Sequence, residues 1–294
     1  MRVSTGYQYD VYNANIRNAM SNYFDAQKRV MTGKRFTRVS EDPVAALTAL
    51  GARSLRSRLE QLDKNLMVAK EYTGTTENVL DEINSVMKRA YTLAIQGASD
   101  ATTQESRDAM ANEIATLEQR LVDLGNTQGV NGKFIFSGQA SDTKPFSAAG
   151  GALTFAGDTL PINVEIRPGE VMRANLENAD TFFDGLYTTL ETLRTDLQGG
   201  NVQQLSEVDV ANLRTALDDV GAARGLNATK LQEIERLHSE GQRRMDDLTK
   251  TISDNEDIDL TEAITEMQMA ETAYTATLQV ASQGFRLSLM DFLR

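Results

Sequence analysis

A seven-residue apolar repeat stands at each end of this chain, and it restricts the possible folds more than any other feature. Near the start, Tyr9, Ile16, Tyr23 and Val30 follow at intervals of seven, with Tyr12, Ala19 and Ala26 three residues behind the first three. Near the finish, Ile264, Glu271, Leu278, Phe285 and Phe292 keep the same interval, with Met267, Tyr274, Ala281 and Ser288 three residues behind the first four. Such spacing draws a single apolar seam along an α-helix. A lone helix with one seam is marginal in water, so each end needs a partner. Charge suggests which one. Residues 1–40 hold seven Lys/Arg against two Asp (net +5), and residues 246–294 hold ten Asp/Glu against three Lys/Arg (net −7). The two ends are expected to pair through Tyr9, Ile16, Tyr23, Val30, Ile264, Met267, Tyr274, Leu278, Phe285 and Phe292. If that pairing forms only in an assembly, the ends order themselves on binding.

Between the ends the helical pattern continues. Gly33 stops the first helix, and Asp42-Pro43 starts the second, with Asp as N-cap and Pro in the first turn, where its missing N–H costs nothing. Leu59, Leu62, Leu66, Ala69, Thr73, Thr76, Leu80, Ile83, Met87, Ala90 and Ala94 then alternate by threes and fours up to Gly97. After the turn 97–100, Met110, Ile114, Leu117, Leu121 and Leu124 form a third stripe, ended by Gly125-Asn126. Phe134 and Phe136, Leu153 and Phe155, and Ile162, Val164 and Ile166 alternate at period two between Gly- and Pro-marked turns, which predicts strands. Helical spacing resumes at Thr181 with Phe183, Leu186, Leu190, Leu193 and Leu197. A further seam from about Ser206 runs from Val210 to Ile252, interrupted by polar Arg224, Asn227 and His238, residue types that fix register at some cost in stability.

The expected fold is mainly α: an elongated rod of long antiparallel, coiled-coil-like helices from both halves of the chain, a small β-rich insert, and paired terminal helices. Its divisions are 1–41 and 254–294 for the two halves of the inner terminal coiled coil, 42–137 and 179–253 for the two halves of the rod, and 138–178 for the outer insert. Lys34, Arg35 and Arg38, with Gly33, Asp42 and Pro43, form the connector between layers, and the basic side chains are expected to meet acidic neighbours in an assembly.

Little here suggests chemistry. MTGKRFT has a Gly-Lys pair, but Lys28 stands where a phosphate loop needs its first Gly and Arg35 where it needs Ser or Thr. His238 is the single histidine and lies in a seam, and Cys is absent, so His/Cys metal sites and cysteine nucleophiles have no material. The acidic run 254–259 lacks the internal Gly and closing Glu of a calcium loop. Asp218-Asp219 and Asp246-Asp247 are adjacent on helices and diverge. No catalytic residue, cofactor or metal is expected. The net charge of −12 argues against nucleic acid as partner. The first residues contain no apolar core of a cleavable signal, and no eighteen-residue apolar run exists to enter a membrane.

Four stretches, in order, carry a resemblance: RVMTGKRFTRVSEDPVAAL (Arg29–Leu47), ENVLDEINSVMKRAYTLAIQGAS (Glu77–Ser99), IATLEQRLVDLGNTQGVNGKFIFSG (Ile114–Gly138) and ASQGFRLSLMDFLR (Ala281–Arg294). Together they resemble bacterial flagellin-family axial proteins. The opening MRVSTGYQYD, the NGKFIFSG turn and the closing LMDFL resemble the hook-filament junction branch rather than filament flagellin; Phe36 and Arg38 depart from flagellin's usual Ile and small residue. The resemblance implies a structural, non-enzymatic part of the flagellum, exported through the flagellar type III apparatus and therefore extracellular. It implies a ring of copies between the first hook-associated protein and flagellin, and a cytoplasmic export chaperone on the C-terminal helix. Filament flagellin and an intracellular coiled-coil scaffold are the other readings open from sequence.

Overall fold

A computed structural model describes residues 5–292, which are mainly α-helical with four short strands. The elements are α1 (Thr5–Thr32), α2 (Pro43–Gly97), α3 (Gln104–Gly125), β1 (Phe146–Ala149), β2 (Ala152–Phe155), β3 (Asn163–Arg167), β4 (Glu170–Arg173), α4 (Ala179–Gly199), the single turn α5 (Val202–Gln204), a π turn (Leu205–Asp209), α6 (Val210–Glu256) and α7 (Leu260–Phe292). The start and stop signals read from sequence have local causes. Gly33 takes φ 66°, a left-handed conformation that a Cβ disfavours. Asp42 Oδ1 accepts the Ala45 N–H at 3.0 Å, capping α2.

The chain forms two compact units. Residues 59–242 make a central unit, and residues 1–58 with 243–294 make a terminal unit. The terminal unit therefore reaches further along α2 and α6 than the divisions 1–41 and 254–294 anticipated.

The central unit is built around large apolar side chains. Leu80, Ile83 and Met87 of α2, Ile114 and Leu121 of α3, Phe183, Leu190, Leu193 and Leu197 of α4, and Leu213 and Val220 of α6 share one buried cluster. Every seam residue of α2 from Leu62 to Ala94 is buried. The polar seam residues of α6 each find a partner on α2, which pins the antiparallel register. Arg224 pairs with Glu77 at 2.9 Å and Asp81 at 3.0 Å. Asn227 Nδ2 donates to the Thr73 carbonyl at 2.9 Å, and His238 Nδ1 lies 2.6 Å from Asp63 Oδ1. On the α3–α4 side, Arg194 Nε donates to buried Glu118 at 2.9 Å. Burial raises the Glu118 carboxyl above its ordinary range, against the pull of Arg194.

The β region is two separate antiparallel hairpins, β1–β2 and β3–β4, each packed on helices. Phe146 of β1 stacks near Phe183 of α4, with centroids 4.6 Å apart, and a Cβ at Gly125 would come within 2.6 Å of the Phe146 ring. Ile166 of β3 sits in a second cluster with Leu66 and Ala69 of α2 and Ile234 and Leu237 of α6. The strand expected at Phe134 and Phe136 is instead a tight loop with one bridge, Gln128 to Phe134. Ile135, Phe136 and Ser137 are all buried there, so consecutive residues face inward, which the alternation of a one-sided strand does not permit.

Candidate functional site: the paired terminal helices

Within the terminal unit α1 and α7 run antiparallel, because contacts descend in register from one end to the other. Tyr12 closes on Gly284, Tyr23 stacks on Tyr274 with centroids 6.2 Å apart and planes 3° from parallel, and Arg29 pairs with Glu266 at 3.2 Å. A Cβ at Gly284 would sit 2.7 Å from the Tyr12 hydroxyl, so glycine there permits the tyrosine to close. This pairing joins the two ends of one copy.

The α1 seam is the one read from sequence: Tyr9, Ile16, Tyr23 and Val30 are half-buried, and Ala26 is buried. On α7 the inward residues are Ala263, Met267, Ala270, Tyr274, Thr277, Ala281 and Gly284. Met267 and Tyr274 belong to the expected set, but Ile264 and Leu278 lie beside the seam and are exposed. The reason is size. Ala263, Ala270, Thr277 and Gly284 allow close approach of the two helices, and the branched residues next to them turn outward. The side chains of Phe285 and Phe292, also expected in this interface, lie outside the described residues.

A second property of this unit was not legible as a seam. Its buried apolar residues, among those described, are Ala26, Ala45, Ala46, Ala49, Ala52, Ala263 and Ala281, with Ile252 the one larger member. Meanwhile Met31 is 79 % exposed, Val44 76 %, Leu47 65 % and Leu50 62 %. Burying an alanine methyl contributes about 0.8 kcal/mol, whereas a buried Leu or Val contributes about 1.5–3 kcal/mol. The unit thus folds with its smallest apolar groups inside and its largest outside. PVAALTAL contained a signal for this, because Val44, Leu47 and Leu50 add a second stripe opposite the alanines. A helix apolar all round belongs in an interior. Between α1 and α7 there is also a groove of about 710 Å³, with Asn15, Asn18 and Asn22 on one wall and Ala273, Ala276 and Val280 on the other.

The connector is tied to its counterpart before α7. Arg35 N donates to the Glu256 carbonyl at 2.6 Å, and Ile258 N donates to the Gly33 carbonyl at 3.2 Å. Lys34 Nζ reaches Asp257 at 2.6 Å and Glu256 at 3.4 Å, and Arg53 also pairs with Glu256, which is 6 % exposed. The hydrogen bond to Asp257 raises the Lys34 ammonium, and the same bond holds the Asp257 carboxyl below its ordinary value. Arg35 pairs with Asp42 at 3.2 Å, and the Thr37 N–H lowers the Glu41 carboxyl by donating to it at 2.8 Å. Lys34 and Arg35 therefore meet acids of their own chain. Of the expected basic trio, Arg38 alone makes no ion pair among the described residues. Glu256 and Asp257, from the acidic run 254–259, are the other half of this junction.

Residues 3–141 match the family model of the bacterial flagellin N-terminal helical region. The chain is also 24 % identical to flagellar hook-associated protein 3 of Escherichia coli K12, with 99 % of each chain covered. The chain is thus similar to the flagellin family along its N-terminal half and to a hook-associated protein along its whole length. Within that family the coverage is uneven: flagellin B of Helicobacter pylori J99 is 25 % identical over 70 % of this chain, but only 39 % of that flagellin is covered. In fold, this chain resembles the crystal structure of the flagellar junction protein FlgL from Legionella pneumophila. That likeness has a TM-score of 0.57 at 13 % identity and covers 71 % of this chain and all of that one. Among the described residues no helix is long and apolar enough to cross a membrane, and no group of three or more acidic, His or Cys side chains is placed to hold a metal ion.

Proposed function

We propose that this chain is a structural adaptor of the bacterial flagellum, forming the junction between hook-associated protein and the flagellin filament. The observation that carries the reading is the terminal unit's inverted packing: alanines inside, with Met31, Val44, Leu47 and Leu50 outside. An exposed stripe of this kind marks a surface made to be covered by protein. Similarity to a hook-associated protein along nearly the whole of both chains supports the junction over the filament, since the flagellin match leaves most of that flagellin unaligned. In this reading copies associate laterally as a ring, with the first hook-associated protein on one side and flagellin on the other. The chain leaves the cell through the flagellar type III apparatus, escorted by a cytoplasmic chaperone at α7, and its work is interface formation without catalysis.

Deletion in the native host tests the reading. Loss of filaments with monomeric flagellin shed into the medium is the expected result; normal filaments would refute it. Seeding purified chains with their own fragments separates the alternative. An adaptor stops at a ring or stays monomeric, whereas long polymers would make the chain a filament subunit.

A further inference from the structure

The central unit carries a groove that its own side chains do not fill. It runs between α4 and α6, holds about 810 Å³, and is lined by Phe182, Gly185 and Leu186 on one wall and Asp219, Ala223 and Leu226 on the other. Phe182 is half-buried and Leu226 is 70 % exposed, so apolar surface stands open along it. Gly185 lies inside α4, where glycine costs helix stability relative to alanine, yet a Cβ there would meet nothing. Packing within one copy does not ask for that glycine. Close approach of another backbone does.

The stripe on α2 has matching properties. Val44, Leu47 and Leu50 stand in solvent, and Gly51 on the same side of the helix is also exposed, with open space where a Cβ would be. Charge distinguishes the two surfaces. Residues 43–58 hold three Arg and no acid, whereas residues 176–189 hold Glu177, Asp180 and Asp184 and no base. On α6, Arg214 and Arg224 turn to α2, toward the Tyr91 hydroxyl at 3.0 Å and Glu77 at 2.9 Å, and the Lys230 ammonium donates to the Asn175 carbonyl at 3.3 Å. Asp219 in the groove, and Arg58 two turns beyond Gly51 on the stripe, make no ion pair among the described residues. One surface is an apolar ridge with a spare cation, and the other is an apolar groove with a spare anion.

We infer that the α2 stripe of one copy seats in the α4–α6 groove of a second copy, with Arg58 meeting Asp219. The inference rests on the junction reading for the presence of neighbouring copies and adds which surfaces meet. Ridge and groove are different patches, so the contact is heterologous and repeats from copy to copy into a ring or helical turn instead of closing as a dimer. Both halves of the contact belong to this chain and their charges are complementary, which favours a second copy over a different protein as the occupant.

The test uses the full chain, which contains no cysteine. Leu47→Cys and Leu226→Cys are made in separate copies, mixed, and oxidised to disulfides, both as purified protein and in flagella from a deletion strain supplied with the two. A mixed dimer exceeding either like-with-like dimer is expected. Arg58→Asp on the first copy should lower its yield about two- to fivefold, and Asp219→Arg on the second should restore it. Purified chains give this readout without a filament, so it is separate from the deletion test of the junction reading. Absence of the mixed dimer from both preparations would overturn the inference and leave that reading standing. Should a cysteine variant fail to fold, filament number decides in the cysteine-free chain: Arg58→Asp and Asp219→Arg are each expected to reduce it, and the pair to restore it. A pair no better than the single changes would overturn the inference.

Discussion

In the central unit Leu80, Ile83, Phe183 and Leu193 are sealed among four helices, and in the terminal unit the sealed positions are Ala26, Ala45, Ala49 and Ala263. Both units are made from amphipathic helices of similar pattern, two of which, α2 and α6, contribute residues to each. They differ in where the large side chains go. The central unit closes its own core and is expected to be stable as a single copy. The terminal unit buries methyl groups and leaves Val44, Leu47 and Leu50 in water. Completeness of burial, more than helix content, therefore separates the part that closes its own core from the part proposed to be covered by others.

The largest expected effect breaks the comparison at its core. Leu80→Ala or Phe183→Ala is expected to cost the isolated chain about 3–5 kcal/mol, read by denaturant unfolding, because each side chain is fully buried and leaves a cavity. Next, the triple change Val44→Ser, Leu47→Ser, Leu50→Ser is expected to abolish complementation of a deletion strain. The same triple should shift the chain's own unfolding by less than about 1 kcal/mol, since exposed positions contribute little to the fold. A large loss of chain stability from that triple would place the stripe in the terminal unit's own core.

Smaller effects sharpen the internal ties. Lys34→Glu sets like charges against Glu256 and Asp257 and is expected to open the connector to limited proteolysis around 33–41, while circular dichroism of the helices stays nearly unchanged. Acid acts on the same contact. Asp257 is held below its ordinary value by Lys34, so its contribution is present above the unfolded aspartate range and is lost as pH falls through the depressed folded value. Connector proteolysis should rise there in the wild type and less in Asp257→Asn. Smallest is Tyr23→Leu, which removes the stacking on Tyr274 but keeps an apolar seam; a loss of about 0.5–1.5 kcal/mol is expected in amide-exchange protection of α1.

The seven-residue repeats, the stop at Gly33 and the start at Asp42-Pro43 were legible because helix period and capping are local properties. So were the α2 and α1 seams, each a regular run of apolar residues with one side to bury. The α7 seam was half legible. Met267 and Tyr274 fall on it, but choosing Ala263 over Ile264 and Thr277 over Leu278 depended on how closely α1 approaches, a distance no single helix encodes. Phe134 and Phe136 misled because alternation over a few residues also arises in a coiled loop packed under Phe183.

By itself the sequence determined the helices, their ends, the opposite charge of the two termini and the poverty of chemical groups, since each follows from residue type and spacing along the chain. Only the tertiary structure decided that Lys34 meets Glu256 and Asp257 from the far end of the chain, and that β3–β4 docks on α2 and α6. It also decided that alanines go inward in the terminal unit and leucines outward. Each of those outcomes depends on which surfaces are brought within a few ångströms, and packing between elements sets that proximity where periodicity within them cannot.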